Sequence, residues 1–196
     1  MDISKLIINV NTFTKYFSSN AATLKSLLGQ LEKSINNVHD QLVSLSIINE
    51  AQLPLNVVEK HPCLKQRVTN CVSTLIDEEI SEIERHMQLL EEITTNLNKH
   101  YRKIEHNMSK LNWEEVPQFH ASALIEITRW SEKCSKYFHL ILCNITSAVK
   151  MFHLDASLSS KWFKNTCDYS SETGNLIFDH PAVEMFSLVE KAIFNS

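Results

Sequence analysis

The sequence is poor in glycine and proline. It has 2 Gly and 4 Pro in 196 residues, where an average composition would supply roughly 14 Gly and 10 Pro. Nucleotide-binding loops and tight hairpin turns need glycine where φ is positive or where the backbone approaches a ligand closely. Gly29 and Gly174 lie far apart, so the chain contains neither a Walker A loop nor a dinucleotide-binding turn. A glycine-poor chain with 43% hydrophobic residues is most simply a protein of long helices.

Excess positive charge, a signal sequence and a long apolar run are also lacking. The chain has 19 Lys and Arg against 23 Asp and Glu, a formal net charge of −4, which is the wrong sign for binding nucleic acid through its phosphates. The first residues lack the regions of a secretory signal, and polar residues interrupt the most apolar stretch, 138–154. We therefore expect a soluble intracellular protein with no membrane contact and no direct sequence-specific nucleic-acid binding. The five cysteines form no CxxC pair and indicate reduced thiols.

The first segment, residues 1–48, carries an apolar heptad seam. Its members follow alternating three- and four-residue steps, with one extra four-residue step after Leu24. Ser18, Ser19 and Asn20 favour helix caps over helix interiors, so the segment forms either one N-terminal helix or a pair of helices. The seam residues are Ile3, Leu6, Val10, Phe13, Phe17, Asn20, Leu24, Leu28, Leu31, Ile35, Val38, Leu42 and Leu45.

The second segment, residues 64–112, predicts one long helix. Pro54 and Pro62 favour extended backbone in the connection before it, and the segment itself has no proline or glycine and an unbroken heptad seam. Its acidic residues lie early and its basic residues late, an order that complements the helix dipole. The seam residues are Ile76, Ile80, Ile83, Met87, Leu90, Thr94, Leu97, Tyr101, Ile104, Met108 and Leu111.

The third segment, residues 119–154, predicts a helix with a wider apolar stripe. Such a helix is usually buried on more than one side, so we expect it to be the central helix. Residues 155–195 predict a polar loop and one or two short C-terminal helices. The stripe consists of Leu124, Ile127, Ser131, Cys134, Phe138, Ile141, Ile145, Ala148 and Phe152, and it is widened by Tyr137, Leu140, Leu142, Val149 and Met151.

The helix lengths predict unfilled apolar surface. At 1.5 Å per residue the second helix would be roughly 70 Å long, whereas a compact chain of this size would be only about 40 to 45 Å across. The third helix is too short to cover both other seams. We expect a single all-α domain, an elongated bundle of three long amphipathic helices with coiled-coil-like heptads plus the short C-terminal helices. The remaining apolar surface predicts association with a partner.

No residues have the spacing of a catalytic or metal-binding set. Glu82 and His86 are four residues apart on the second helix, but both lie off its seam, which indicates a solvated acidic face. In the basic run 99–103, Tyr101 occupies the seam, and this favours packing over stacking on a base. Cys134 lies in the third helix and is expected to be a buried thiol. We therefore predict no catalytic, metal or cofactor site and no enzyme activity.

The start of the second helix resembles a known family. The stretch His61-Pro62-Cys63-Leu64-Lys65-Gln66-Arg67-Val68 is similar to an element of the AIRIM family, the ribosome maturation factors that associate with AAA+ ATPases. Further similar features follow in order over residues 55–195: the stretch 128–133 with Trp130, then Tyr137, Trp162 and a closing helix after Asp179. His61 stands where the family usually has an aromatic residue, and the segment after the third helix is more polar than expected.

The resemblance implies a non-enzymatic adaptor or scaffold subunit of the cytoplasm and nucleus. Such a subunit would pair with another small helical protein, of the cyclin-dependent-kinase-interacting type, and dock onto an AAA+ ATPase that acts in large ribosomal subunit maturation, with only indirect association with pre-ribosomes. Leu64, Lys65, Arg67 and Trp130 would contact partners, and a helix start or core packing is the alternative for each. Without the resemblance, the heptads equally fit a coiled-coil structural subunit of a cytoskeletal, kinetochore or tethering assembly.

Overall fold

The computed structural model describes residues 3–116, 118–151 and 177–178. They form α1 (Ile3–Glu50), α2 (Leu55–Lys60), α3 (Leu64–Met108) and α4 (Gln118–Met151), with a 3-10 turn at Trp113–Glu115. None of these residues is in a β-strand. The fold is therefore all-α with three long helices, as the sequence predicts. Of the predicted C-terminal region 155–195, only Ile177 and Phe178 are described, both helical; the rest lies outside the described residues.

The first segment forms a single helix. At its polar interruption Asn20 donates from Nδ2 to the carbonyl oxygen of Tyr16 at 2.8 Å, and the Ser19 hydroxyl donates to the same oxygen at 2.9 Å. These side chains bond back onto the preceding turn, a geometry that leaves the helical backbone intact. The two-helix alternative therefore does not apply to α1.

The long helices begin and end close to the residues that the sequence indicates. Pro54 precedes α2 with φ −58° and ψ 143°. This extended geometry interrupts the helical backbone between α1 and α2. α3 begins at Leu64, the predicted start, and ends at Met108, short of the predicted residue 112. Turn-type backbone bonds, such as that from Leu111 N to Met108 O, replace the helical pattern there.

The predicted seams supply most of the buried core. On α4 every described seam residue is buried, and on α1 and α3 the buried positions follow the heptads closely. The large apolar residues that remain exposed lie off these seams. The exposed apolar surface is therefore not an uncovered length of heptad seam, which is what the helix lengths predict. These exposed residues are Ile8, Val43, Ile47, Leu55, Val58, Val68, Leu75, Leu89 and Leu140.

Residue contacts group the chain into two compact units, where the sequence predicts a single domain. Unit 1 comprises the described residues within Met1–Ser26, Leu90–Cys143 and Asp168–Ser196, and unit 2 those within Leu27–Leu89 and Asn144–Cys167. Within unit 2, α1 and α3 are antiparallel: Asn37 donates to Glu79 at 2.8 Å, and Lys65 reaches the end of α1. Within unit 1, α3 and α4 approach where Ser135 donates to Asn98 at 3.4 Å.

The wide stripe of α4 is only partly buried. Phe138, Ile141 and Ile145 are fully or almost fully buried, but Leu140 is 60% exposed. The expectation that α4 is covered on more than one side is therefore not met at Leu140, whereas the other four residues that widen the stripe are half-buried.

Candidate partner-binding surface

Leu64 and Lys65 of the matched motif make contacts within the chain. Leu64 is half-buried at the start of α3, and its amide donates to the carbonyl of His61 at 3.0 Å. Lys65 Nζ donates to the carbonyl oxygens of Asn49 at 2.7 Å and Ala51 at 3.2 Å. Because the last carbonyls of a helix have no intrahelical partner and carry partial negative charge, Lys65 closes the C-terminus of α1.

Arg67 differs from its two neighbours in the motif because its side chain is exposed. Its backbone amide donates to Cys63 O at 2.9 Å, which fixes the first turn of α3 and leaves the guanidinium at the surface. An exposed guanidinium presents several donors in a rigid planar fork. Of the predicted motif contacts, Arg67 is therefore the one placed to meet another molecule.

Trp130 packs in the core of unit 1. Its side chain is 2% exposed, its ring lies 5.1 Å from that of Phe17 and 5.8 Å from that of Phe13, both edge-on, and its Nε1 donates to the carbonyl of Ile177 at 3.2 Å. Buried tryptophans usually pair their N–H in this way. Core packing, the alternative stated for Trp130, accounts for its position, and a direct partner contact would require it to leave this cluster.

The short helix α2 is the least buried element beside the motif. It has six residues, none of them buried, and Leu55 is 81% exposed. Ile47, near the end of α1, is 64% exposed. We call residues 47–68, where α1 ends and α2 and α3 begin, the hairpin end. Reading along the heptad seams missed these residues, because Leu55 and Val58 lie in the connection and Ile47 lies off the seam.

A polar cleft of about 440 Å³ lies between α3 and α4 in unit 1. Its four charged residues pair within their own helices, Arg102 with Glu105 and Lys136 with Glu132, so it presents little uncompensated charge to a ligand. Burial raises the pKa of the Tyr101 hydroxyl, and the carboxylates of Glu132 and Glu105 raise it further. The lining residues are Asn98, Tyr101, Arg102, Glu105, Glu132, Ser135, Lys136 and His139.

His86 corrects the interpretation of the acidic face. It is buried, whereas Glu82 one turn earlier is exposed, and its Nε2 lies 2.9 Å from Arg85 Nη2. Burial lowers the pKa of His86, and the Arg85 cation lowers it further, against an opposing effect of Glu82. The prediction of a solvated position failed because the buried surface of α3 extends beyond the narrow seam at this turn.

The described cysteines and histidines form no metal-binding group. Cys63, Cys71 and Cys143 are exposed and Cys134 is buried. Burial raises the pKa of the Cys134 thiol, which suppresses the thiolate form that reacts or binds metal. Cys143 Sγ lies 3.8 Å from His139 Nε2. In the part of the chain that the structure describes, no three His, Cys, Asp or Glu residues converge as metal ligands would.

Comparisons with known proteins assign no family to the chain. No family model, curated protein or solved structure matches the chain. Among the described helices, none is both long enough and apolar enough to cross a membrane.

Proposed function

We propose that the chain is a non-enzymatic helical adaptor or scaffold subunit of a AAA+ ATPase complex that acts in large ribosomal subunit maturation. It pairs with another small helical protein, of the cyclin-dependent-kinase-interacting type, and meets pre-ribosomes through these partners in the cytoplasm and nucleus. The ATPase supplies the chemistry, and this chain supplies helical surface that holds the subunits together.

The observation that carries the binding part of this proposal is the exposure of α2. A helix of six residues is far below the length at which helices are stable alone in water, and helices in proteins gain most of their stability by packing an apolar face. α2 buries none of its residues, and it presents Leu55 and Val58 to solvent. A partner that covers them would supply the missing packing.

The identity of the complex rests on the resemblance of residues 61–68 to the AIRIM family. These residues follow α2 directly, and Arg67 is exposed among them. The matched motif and the uncovered helix thus occupy the same end of the α1–α3 hairpin, which is tied together by Lys65.

Purification of the tagged full-length chain, with mass spectrometry of what it retains, tests the proposal. We expect AAA+ ATPase subunits and one small helical protein in every replicate, and a fall in large-subunit production when the chain is depleted. Repeated absence of AAA+ subunits would overturn the proposal. Recovery of a cytoskeletal, kinetochore or tethering assembly with unchanged ribosome production would establish the coiled-coil alternative instead.

A further inference from the structure

Charge is segregated along the chain, although its net value is −4. Residues 69–89 contain five carboxylates and a single Arg, whereas residues 93–110 contain four Lys and Arg and one Glu. On α1, residues 3–26 contain three Lys and neither Asp nor Glu. Because residues 3–26 and 93–110 both belong to unit 1, they give that unit a local excess of positive charge that the net value conceals.

The positive residues of α3 line up along one side of the helix. Lys99, Lys103, His106 and Lys110 follow one another at intervals of four, three and four residues, the spacing that places side chains on one face. All four are exposed, and Lys110 lies in the turn that follows the end of α3 at Met108. We call these four residues the basic stripe.

Nearby carboxylates leave the charge of the basic stripe uncompensated. The one carboxylate of residues 93–110, Glu105, bonds to Arg102 at 3.1 Å, and none of the three stripe lysines makes an ion pair with another described residue. Burial lowers the pKa of His100, and the charges of Lys103 and Lys99 lower it further. The stripe therefore creates a positive potential that acts on the groups around it.

α1 adds an aromatic ring and a further lysine beside the basic stripe. The ring of Tyr16 lies against that of His100, with centroids 5.3 Å apart, and both side chains are half-buried. His100 precedes Lys103 by three residues, so this ring pair is one helical turn from the stripe. Lys5 is exposed and lies eleven residues before Tyr16, on the same side of α1. Since α3 runs antiparallel to α1, Lys5 is level with Lys110.

The composition of the basic stripe favours a nucleic acid over a protein as its partner. The cores of protein–protein interfaces are depleted in Lys and depend on buried aromatic or apolar anchors, and the stripe contains no apolar residue. Interfaces with nucleic acids are more polar and much more positively charged. The ring pair offers a π surface for stacking a base, and single strands present unstacked bases to such surfaces.

We propose that the basic stripe, with Lys5 and the Tyr16–His100 ring pair, binds single-stranded RNA through its phosphates and without sequence specificity. From Lys99 to Lys110 the stripe is roughly 16 Å long, which in a helical strand spans about five phosphates at roughly 3.4 Å each. The choice of RNA over DNA rests on the proposed function in ribosome maturation, whereas the phosphate contact does not depend on it. This contact is direct and adds to the association with pre-ribosomes through partner proteins.

Fluorescence anisotropy tests the inference. Fluorescein-labelled oligouridine of about 15 nucleotides is titrated with the full-length chain at several salt concentrations, beside the matching oligothymidine and a labelled glutamate peptide of equal charge. We expect oligouridine to bind with a Kd of about 100 µM or lower at low salt, and the glutamate peptide to bind at least tenfold more weakly. Each phosphate that a lysine neutralises contributes about 0.7 to the slope of log K against log salt, so Lys5 and the three stripe lysines predict a slope of about −3.

Paired variants locate the binding site. Lys99→Gln with Lys103→Gln should weaken binding of oligouridine at least fivefold and reduce the size of the salt slope by about 1.4. Tyr16→Leu should weaken binding severalfold at an unchanged slope, because it removes a stacking surface but no charge. The matched control, Lys33→Gln with Lys60→Gln, removes two exposed lysines of unit 2 and should leave binding unchanged. Circular dichroism of each variant checks that the helices are retained.

Four outcomes would overturn the inference. They are no binding of oligouridine at low salt, an equal loss in the stripe and control variants, a glutamate peptide that binds as tightly as oligouridine, and oligothymidine that binds at least tenfold more tightly than oligouridine. The third outcome would make the partner an acidic protein segment, and the fourth would make it DNA.

The same measurements separate this inference from the proposed function, because none of them involves the ATPase. Failure of oligouridine binding with AAA+ subunits still recovered from cells would refute RNA binding by the basic stripe alone. Failure to recover those subunits, with oligouridine still bound at the stripe, would refute the proposed function alone.

Discussion

The two compact units differ in how completely their apolar side chains are covered. Unit 1 packs the rings of Phe17, Trp130, Phe138 and Phe178 against one another, with centroids 5.1 to 6.3 Å apart. The stretch Leu27–Leu89 of unit 2 contains no Phe, Tyr or Trp. It nevertheless holds most of the large apolar side chains that are exposed in the described residues.

This difference indicates which part of the chain offers apolar surface to a partner. Aromatic rings bury large areas and pack in defined edge-on geometries, and the apolar side chains of unit 1 are largely covered within the chain. Exposed apolar side chains are common singly, but a succession of them along one helix and its connection marks an interaction surface. We therefore propose unit 2 as the site of the partner contacts.

The largest expected effect tests whether the aromatic cluster holds unit 1 together. Trp130→Ala should lower the free energy of unfolding by about 3 to 5 kcal/mol, because it leaves a cavity among the surrounding rings. Trp130→Phe keeps a ring but leaves the carbonyl of Ile177 without its donor, at a cost of about 1 to 3 kcal/mol. Urea denaturation measures both. A loss below about 1 kcal/mol for Trp130→Ala would show that the cluster is not the main source of stability.

A smaller effect concerns the buried imidazole in unit 2. Because the folded-state pKa of His86 lies below its ordinary value of 6.5, the folded state favours the neutral ring. The contribution of the neutral His86 ring to the free energy of unfolding should be fully present above pH 6.5. It should fall as the pH drops from there towards the folded-state pKa. Denaturation at a series of pH values measures this fall. His100, whose pKa is also lowered, first by burial and then by Lys103 and Lys99, contributes the same sign.

Replacing His86 separates its contribution from that of His100. His86→Leu should shrink the loss of stability at low pH, and it should raise stability at neutral pH by about 1 kcal/mol because the buried Nδ1 has no hydrogen-bond partner among the described residues. His106→Leu, at an exposed position of the same helix, is the control. If the stability of His86→Leu fell at low pH as much as that of the wild type, the buried position of His86 would be contradicted.

A third effect concerns the closure of the hairpin end. Lys65→Met keeps most of the side-chain volume but removes the bonds to the carbonyl oxygens of Asn49 and Ala51 at the end of α1, and it should cost about 0.5 to 1 kcal/mol. Arg67→Met, two residues away and exposed, should change stability by no more than about 0.5 kcal/mol. Thermal unfolding followed by circular dichroism compares the two. Equal losses of stability in the two variants would mean that Lys65 contributes through its positive charge alone and not through these hydrogen bonds.

The smallest expected effect is that of Leu89→Ala, with the adjacent Leu90→Ala as its buried reference. Leu90 is fully buried and Leu89 is 38% exposed, so Leu90→Ala should cost about 2 to 5 kcal/mol and Leu89→Ala no more than about 0.5 kcal/mol. Chemical denaturation of both variants provides the comparison. A large loss for Leu89→Ala would show that Leu89 is packed within the chain and is not available to a partner.

Heptad periodicity predicts the helices because it reports which residues face one another. The α4 seam from Leu124 to Ala148 is buried as the pattern indicates, and the start of α3 at Leu64 follows from Pro62 before it. The pattern does not report how wide the buried face is. His86 was therefore misplaced, since it is buried beside the seam through packing that only the tertiary fold defines.

The candidate surface was harder to read from the sequence. Val68, Leu75 and Leu89 are exposed at heptad spacing on α3. Glu78, Glu82 and Arg85 lie between them, so this side of the helix resembles an ordinary solvated face. Leu55 and Val58 belong to a short connection with no periodicity of its own. In both places it is the exposure of the side chains in the folded chain, rather than their order in the sequence, that distinguishes a surface from a core.

The most direct test of the account is quantitative recovery of AAA+ ATPase subunits by two tagged double variants. Ile47→Ser with Leu55→Ser alters the hairpin end in unit 2, and Ile8→Ser with Leu140→Ser alters unit 1 to a similar extent. Isotope-labelled mass spectrometry compares each with the wild type at equal expression. We expect recovery to fall at least tenfold for the first variant and to stay at the wild-type level for the second. Retention by both variants, or an equal loss from both, would contradict the assignment of partner binding to unit 2.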